Sequence, residues 1–280
     1  MKNLPELGAG VGFREQFRAD LFLHRTEVDF LEITADHFLD ASPQKLAELE
    51  LLREHFPLIP HGLNLSLGSA EGIDEKYLEK LAALVEKLQP AWFSEHICFT
   101  KSGGVDIGHL APVAFTRESL NVLKRNIRRA KEVIKTPLIL ENITYMVRYP
   151  FSEMDEAEFI AELIEETDCG LLLDVTNLYI NAVNHDYDWR EYLQKIPRER
   201  IVQLHFVGSH RHGNVLIDGH ADKTEDEIWN VFREVCVNSN VKGAILERDE
   251  NFPAFTEILE EIKMARNILQ KTERTASAEI

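Results

Sequence analysis

Cysteine is scarce in this chain. Its 280 residues include three cysteines, Cys98, Cys169 and Cys236, and none of them belongs to a Cys-x-x-Cys pair. An odd number of widely spaced cysteines excludes a disulfide framework and a thiolate zinc or redox motif. Each cysteine is expected to be a small buried hydrophobic residue.

Long apolar runs are also missing. No stretch approaches the roughly 20 apolar residues that a membrane span needs. The first residues, MKNLPELGAG, lack the basic and apolar regions of a secretory signal. The sequence therefore predicts a soluble, cytoplasmic protein that has no membrane partner.

Positive charge is in the minority, because 31 Lys and Arg residues face 48 Asp and Glu residues and give a formal net charge of −17. Such a chain repels a phosphate backbone unless a basic patch compensates, and no Lys/Arg run is long enough to do so. Nucleic acid is therefore not an expected partner. Eleven histidines stand beside the 48 carboxylates, and these two side-chain types bind metals without thiolates.

What the sequence does contain is a regular alternation of short runs rich in Val, Ile and Leu with longer segments of helical period. Eight runs have the composition of buried strands: 7–12, 28–33, 57–62, 91–96, 137–142, 170–175, 201–206 and 243–248. Eight βα units without a composition break predict an α/β fold, a single (β/α)8 TIM barrel over residues 1–270. The polar, aperiodic residues 271–280 predict a flexible tail.

A doubly wound sheet with a bound dinucleotide is the rival fold, because Gly8, Gly10 and Gly12 lie in the first predicted strand. The dinucleotide fingerprint needs a third glycine three residues after the second, and Phe13 occupies that position. The glycines predict instead a bulge or a close approach of this strand to a neighbour.

Two capping boxes are expected at helix starts. Ser152 with Asp155 and Thr224 with Glu227 have the spacing in which the first side chain binds a backbone N–H and the second reaches back. Both pairs precede runs of helical period. The two helices are therefore expected to begin just after Ser152 and Thr224.

The ends of the predicted strands are unusually polar. In a barrel of this kind, catalytic residues lie at the carboxyl ends of the strands and in the loops after them. These positions hold Glu32, His61, Glu95, His96, Glu141, Asn142, Asp174, Asn177, His205, Asp218, His220, Glu247 and Arg248. Packed carboxylates repel one another unless they take up protons or bind cations. Because the donors exceed what one ion needs and suit iron, manganese or zinc, they predict two or three metals, with Glu141 or Asp174 as a bridge.

Seven segments also match a known family in order and at compatible spacing. They are HGLNLSLGS (61–69), SEHICF (94–99), ENIT (141–144), DVTNLYINAVNHDYD (174–188), QLHFVG (203–208), LIDGHAD (216–222) and ERDENFP (247–253). Together they resemble the multinuclear non-heme iron-dependent oxidative enzymes, which include the iron enzymes of methanobactin and thiaglutamate biosynthesis. The resemblance covers about residues 7–270.

This resemblance implies an enzyme that holds two or three iron ions in mixed Fe(II)/Fe(III) states. It would use O2 to modify cysteine, or in some members another residue, in a ribosomally made precursor peptide. Removal of hydrogen from the cysteine Cβ would lead to rearrangement or to excision of the β-carbon. Carried over by motif, the iron ligands would be His61, His96, Glu141, Asp174, Asn177, His205, Asp218, His220 and Glu247. Asn177 stands where other members carry His, and since Asn is a weaker, neutral ligand, occupancy by a third iron is an open question.

Four further residues are expected to align ligands or to bind the peptide: Glu95, Asn142, His185 and Arg248. For His185, in a segment expected to be a loop, substrate contact and loop capping both stay open. Because the chain ends soon after the eighth unit, a partner protein is expected to recognise the leader of the peptide.

Two other functions compete with the iron oxidase. A divalent-metal isomerase or an endonuclease-like hydrolase would place His, Glu and Asp at the same strand ends. A metal-binding partner without catalytic activity is the third possibility. Metal analysis and O2 consumption separate the three.

Overall fold

Eight parallel strands close into a barrel in the computed structural model, which describes residues 3–237 and 239–278, with side chains as far as residue 271. Including the strands outside the barrel, the described residues form β1 Gly8–Gly12, β2 Leu31–Thr34, β3 Leu58–His61, β4 Phe93–His96, β5 Cys98–Ser102, β6 Val105–Pro112, β7 Leu138–Glu141, β8 Gly170–Asp174, β9 Ile201–Phe206, β10 Gly208–His212, β11 Val215–Asp222 and β12 Gly243–Leu246. Around the barrel the strands follow the order β1, β2, β3, β4, β7, β8, β9 and β12. The predicted (β/α)8 architecture is confirmed, and each predicted strand overlaps one barrel strand.

The helices follow the strands in sequence. They are α1 Arg18–Leu23, α2 Asp36–Leu39, α3 Pro43–His55, α4 Glu75–Leu88, α5 Arg117–Val133, α6 Glu156–Thr167, α7 Val175–His185, α8 Trp189–Lys195, α9 Asp226–Val237 and α10 Phe255–Ala278. None of the described helices combines the length and the apolar composition that a membrane span requires. The backbone of α10 continues to Ala278, where a flexible tail is expected from residue 271 on. The rest of that expectation lies outside the described residues.

The barrel interior is polar at the carboxyl ends of the strands, which we call the top, and apolar beneath them. Side chains two residues apart on a strand point to the same side, so Ile59 lies beneath His61 and Ile139 beneath Glu141. A buried cluster that we name the apolar floor fills the lower part: Phe30, Ile59, Trp92, Ile139, Leu172, Val202 and Ile245. The polar strand ends therefore rest on a packed base.

Gly10 of β1 lies very close to the neighbouring backbone. A Cβ at this position would lie 2.0 Å from the carbonyl oxygen of Phe30 in the segment before β2. No other residue fits so close to a neighbouring backbone. The close approach is confirmed for Gly10, and the closed parallel barrel excludes the doubly wound rival.

Two antiparallel hairpins, β5 with β6 and β10 with β11, lie outside the barrel sheet. They follow the carboxyl ends of β4 and β9, and the sequence pattern did not predict them. The second hairpin carries Asp218 and His220 on β11. These two predicted ligands therefore come from an excursion of the chain and not from a barrel strand.

Both predicted capping boxes are wrong. Before α6, the side chain of Asp155 accepts from the Glu158 N–H, and the Glu158 side chain accepts from the Asp155 N–H. The Ser152 hydroxyl accepts instead from the N–H of a distant loop residue. Helix α9 begins two residues after Thr224, whose N–H donates to Glu261 Oε2 at 3.0 Å. In both cases tertiary contacts occupy the residue that local spacing favours as the cap.

Candidate metal centre

The carboxyl ends of the barrel strands bring six of the predicted ligands together. His61, His96, Glu141 and Asp174 are the last residues of β3, β4, β7 and β8, His205 is the penultimate residue of β9, and Glu247 directly follows β12. All six residues are buried. The closure of the barrel makes these strand ends neighbours, although they are far apart in sequence.

The first group of donors consists of His61, His96 and Glu141. Oε2 of Glu141 lies 3.3 Å from Nε2 of each histidine. The other ring nitrogens are engaged, since Nδ1 of His61 contacts Ser94 Oγ at 2.8 Å and Nδ1 of His96 contacts the Gly62 carbonyl at 3.2 Å. A carbonyl oxygen can only accept, so Nδ1 of His96 donates to it. Both rings therefore turn Nε2 towards Glu141.

The second group shares Glu141 with the first. Nδ1 of His205 lies 3.3 Å from Glu141 Oε1 and 3.0 Å from Glu247 Oε2. One ligand atom each from Glu141, Asp174, His205 and Glu247 lie within 4.8 Å of one another. Glu141 thus has one oxygen facing each group, which is the arrangement expected of a bridging carboxylate.

A third group lies further out, on the second hairpin. Nε2 of His220 lies 2.9 Å from both oxygens of Asp218 and is hydrogen-bonded to Oδ2, while Nδ1 is 3.1 Å from Asp249 Oδ2. Nδ1 of His220 also lies 3.8 Å from Glu247 Oε2, so Glu247 connects this group to the second. Arg14 pairs with Asp249 and is 3.9 Å from Glu247.

Asn177 lies on the first turn of α7, beside Asp174. Its N–H donates to Asp174 Oδ1 at 2.8 Å, and its side-chain amide donates to the Asn142 carbonyl at 3.1 Å. The side-chain oxygen of Asn177 is buried and has no hydrogen-bond partner among the described residues. This oxygen is the atom that a neutral Asn ligand would offer.

Burial sets the charge of the cluster. It raises the pKa of Glu141 to about 8 and that of Asp174 to about 7. It also lowers the pKa of His96 to about 4. The pKa of His61 falls well below its usual value through burial and the nearby His96 and His205. These groups favour their neutral forms, and a bound cation would instead favour the ionised carboxylates.

The pKa values of His205 and Glu247 shift in the directions that favour the charged forms. Burial opposes the charged form of His205, but Glu32, Glu141 and Glu247 raise its pKa well above the usual value. Burial likewise opposes ionisation of Glu247, but His220 and His205 hold its pKa well below the usual range. The two residues therefore form a buried ion pair at the centre of the cluster.

Unsatisfied atoms test whether these residues suit a metal. Within the part of the chain that the structure describes, five buried atoms of predicted ligands have no hydrogen-bond partner: Glu141 Oε2, Asp174 Oδ2, Asn177 Oδ1, His205 Nδ1 and Asp218 Oδ1. Buried polar atoms are normally hydrogen-bonded. Metal coordination would satisfy all five, and a set of carboxylates, imidazoles and one amide without thiolate suits iron, manganese or zinc. The residues fit the metal centre that the sequence predicts.

Comparison with known proteins shows the family. Residues 8–270 match the sequence model of the family described as RiPP precursor modification enzyme MbnB/TglH/ChrH, where RiPP denotes a ribosomally synthesised and post-translationally modified peptide. The chain belongs to this family. The predicted resemblance is therefore confirmed, and the chain is an enzyme of a family that modifies precursor peptides.

Relatives of this family member include proteins that carry only a family number as a name. A UPF0276 protein of Caulobacter vibrioides is 35% identical over 263 residues, which cover 94% of each chain. A UPF0276 protein of Vibrio vulnificus is 31% identical over 265 residues, 93% of this chain and 91% of the relative.

Solved structures show the fold of the chain. It resembles a D-psicose 3-epimerase at a TM-score of 0.57 and 13% identity, with 95% of this chain and 98% of the epimerase covered. It also resembles the 3-keto-D-glucoside 4-epimerase YcjR of E. coli at a TM-score of 0.58 and 14% identity, with 94% and 100% covered. At this identity the likeness establishes the barrel fold alone.

Two of the additional residues predicted for this enzyme lie against the ligands. Glu95 Oε1 accepts from the Leu65 N–H at 3.1 Å and Oε2 from the His96 N–H at 3.3 Å, while burial raises its pKa to about 8. The side chain of Asn142 binds both backbone groups of Asp174, accepting from its N–H at 2.9 Å and donating to its carbonyl at 3.1 Å. Both residues hold the backbone around a ligand in place.

The other two predicted residues are Arg248 and His185. Arg248 is buried and donates to the Ala221 carbonyl at 2.8 Å, next to His220. His185 ends helix α7, so the expectation that it lies in a loop is wrong. Its ring stacks on Tyr145 at 4.6 Å, and its Nε2 is 2.8 Å from the Tyr145 carbonyl oxygen. A packed neighbour therefore fixes His185.

The sequence reasoning missed Asp249, Arg14 and Gln203. Asp249 lies two residues after Glu247, in a motif whose first acid alone was assigned. Gln203 lies two residues before His205, so both face the same side of β9. A polar residue inside the otherwise apolar run IVQLHF is the signal that could have identified it.

Proposed function

We propose that this chain is an O2-dependent multinuclear iron enzyme that oxidatively modifies a cysteine of a ribosomally made precursor peptide. The reaction class is hydrogen abstraction at Cβ, followed by rearrangement or excision of the β-carbon. The observation that carries the proposal is the position of Glu141, whose two oxygens lie 3.3 Å from His61 and His96 on one side and 3.3 Å from His205 on the other. Such a shared carboxylate suits a centre of more than one metal ion.

The residues divide naturally between the ions. His61, His96 and Glu141 would hold one iron, and Glu141, Asp174, His205 and Glu247 would hold a second. The remaining predicted ligands, Asn177, Asp218 and His220, would be left for a third. When bound, iron in the Fe(II) and Fe(III) states would supply the one-electron and O2 chemistry that hydrogen abstraction needs.

The chain itself orients the donors and excludes water. Ser94 and the Gly62 carbonyl fix the rings of His61 and His96 through their Nδ1 atoms. Asn142 fixes Asp174 through two backbone hydrogen bonds. Because the donors are buried, their mutual interactions are strong, and solvent has little access to the reacting groups.

The peptide substrate follows from the family, whereas its delivery is part of the proposal. We expect a partner protein to recognise the leader of the peptide, and we expect the reaction to take place in the cytoplasm. A pull-down should show weak binding of the peptide to this chain alone. Tight binding of the leader by this chain alone would contradict the need for a partner.

The proposal is tested with protein purified without O2. Metal analysis should show two or more irons per chain. Co-expression with a Cys-containing peptide encoded beside the enzyme should change the mass of that peptide, and only in the presence of O2. Glu141→Gln should abolish both iron binding and the mass change, whereas Glu54→Gln, which alters an exposed carboxylate, should preserve both.

The competing functions make different predictions in the same experiment. A divalent-metal isomerase or endonuclease-like hydrolase should contain zinc or manganese close to stoichiometry, with no iron. A metal-binding partner without activity should consume no O2 with any peptide and reductant. Either result would overturn the proposal that this chain is an iron-dependent oxidase.

A further inference from the structure

A chain of polar contacts runs beneath the ligands, from Trp92 in the apolar floor to His205. Trp92 Nε1 donates to Gln203 Oε1 at 2.7 Å, and Gln203 Nε2 donates to Glu32 Oε2 at 2.6 Å. Oε1 of Glu32 lies 2.8 Å from Nε2 of His205. All four side chains are buried, and we name them the Trp92–His205 chain.

The chemistry of these groups fixes the direction of the first two hydrogen bonds. An indole N–H can only donate, so the amide oxygen of Gln203 must face Trp92. The amide NH2 of Gln203 must then face Glu32. A carboxylate oxygen 2.8 Å from Nε2 of His205 requires the proton to lie on that nitrogen. Gln203 Nε2 also lies 3.2 Å from His205 Nε2. Because an ionised carboxylate can only accept, we assign the His205 proton to the shorter contact with Glu32.

The consequence lies at the other ring nitrogen. Nδ1 of His205 lies 3.3 Å from Glu141 and 3.0 Å from Glu247, but it forms no hydrogen bond within the described part of the chain. His61 and His96 have the reverse arrangement, because their Nδ1 atoms are engaged and their Nε2 atoms face Glu141.

Proximity alone would make Glu32 a ligand as well. One of its oxygens lies within 4.8 Å of donor atoms of His61 and Glu247. However, both oxygens of Glu32 are engaged, one by Gln203 and one by His205. Glu141 and Asp174 each keep a buried oxygen that no described residue satisfies. Glu141 and Asp174 are therefore free to bind a cation, whereas Glu32 is not.

We propose that Glu32, held by Gln203 and Trp92, is a positioning residue that keeps the proton of His205 on Nε2, so that His205 binds metal through Nδ1 while Glu32 stays outside the coordination sphere. This inference rests on the metal centre of the proposed function. It does not depend on iron or on O2, because any divalent ion that takes imidazole ligands reports the geometry. Its failure is therefore distinguishable from failure of the oxidase.

An exchange of the two polar residues tests the proposal. In Glu32→Gln, the new amide oxygen accepts from Gln203 and its NH2 donates to Nε2 of His205, which moves the proton to Nδ1. In the double variant Glu32→Gln/Gln203→Glu, position 203 accepts from Trp92 and from the amide at position 32. The amide oxygen at position 32 can again accept from His205 Nε2. The double variant thus restores the direction of the chain at an unchanged net charge.

Zinc affinity is the first readout. The single variant Glu32→Gln should bind zinc about 10- to 100-fold more weakly, which is the usual range for loss of an orienting partner. The double variant should return to within about threefold of the parent chain. If Glu32 is itself a ligand, the double variant will bind as weakly as Glu32→Gln, and that result overturns the proposal.

The second readout is the 15N spectrum of the histidines in the zinc-loaded protein. We expect His205 to show a protonated Nε2 in the parent and in the double variant. A proton on Nδ1 in the parent overturns the proposal. Should Glu32→Gln fail to fold, Trp92→Phe supplies the test, because it keeps most of the buried ring and removes only the donor that orients Gln203. It should weaken zinc binding by about threefold or more, and unchanged affinity overturns the proposal.

Discussion

Oε2 of Glu247 lies 3.0 Å from Nδ1 of His205, and this contact joins the inner donors to the outer group. The same oxygen is 3.8 Å from Nδ1 of His220. Although burial opposes its ionisation, the two histidines keep the pKa of Glu247 well below its usual range. Glu247 is therefore the charged acid between two histidines that have raised pKa values.

Glu247→Gln should reduce the metal content of the protein by at least one ion per chain. The substitution keeps the shape of the side chain and removes the charge that both histidines face. Metal analysis after anaerobic loading measures the effect. Glu250→Gln, an exposed position three residues further on, should leave the metal content unchanged. Equal metal content in the two variants would contradict a role for Glu247 in the centre.

Metal affinity should rise with pH between about pH 6 and about pH 8. Burial raises the pKa of Glu141 to about 8 and that of Asp174 to about 7, so both acids hold protons at the lower pH. A cation must displace these protons, and each displaced proton makes binding weaker as the pH falls. Calorimetry in buffers of different ionisation enthalpy should detect proton release on zinc binding. An affinity that does not change over this range would count against these acids as ligands.

Glu156→Gln should stabilise the protein at alkaline pH. Glu156 is buried beside Tyr145, whose hydroxyl lies 3.0 Å from Glu156 Oε2, and burial raises its pKa to about 8. The folded state then holds a proton that the unfolded state releases above about pH 4.5, so stability falls as the pH rises towards 8.

An amide mimics the protonated acid and removes this loss, so the gain in stability should be about 2–3 kcal/mol larger at about pH 8.5 than at about pH 6. Urea unfolding at about pH 6 and about pH 8.5 measures the difference. Glu165→Gln, at an exposed position on the same helix, should show no such gain. A gain that is equal at both pH values would show that Glu156 is ionised in the folded protein.

Asn142→Ala should weaken metal binding as well as stability. The side chain of Asn142 makes two hydrogen bonds with the backbone of Asp174. Asn126 is a matched control, because it is also buried and also makes two hydrogen bonds to backbone, with the carbonyls of Leu67 and Ser69. Both alanine variants should lose about 1–3 kcal/mol of unfolding free energy, but only Asn142→Ala should lose zinc affinity. Equal affinity of the two variants would mean that Asn142 serves the fold alone.

The sequence determined the barrel and most of the predicted ligand positions. Parallel strands end at one face of a barrel, so polar residues such as His61 and Glu141 at strand ends could be assigned to one cluster before any contact was known. These are local patterns, and each can be recognised within a single βα unit.

The tertiary structure alone decided how those residues are used. The nitrogen that each histidine turns towards Glu141 depends on partners such as Ser94 and Glu32, which lie on other strands. The pairing of His220 with Asp249 likewise joins a hairpin to the segment after β12. Hydrogen-bond direction depends on the groups that surround a side chain in space, and residues far apart in sequence supply those groups only once the barrel has closed.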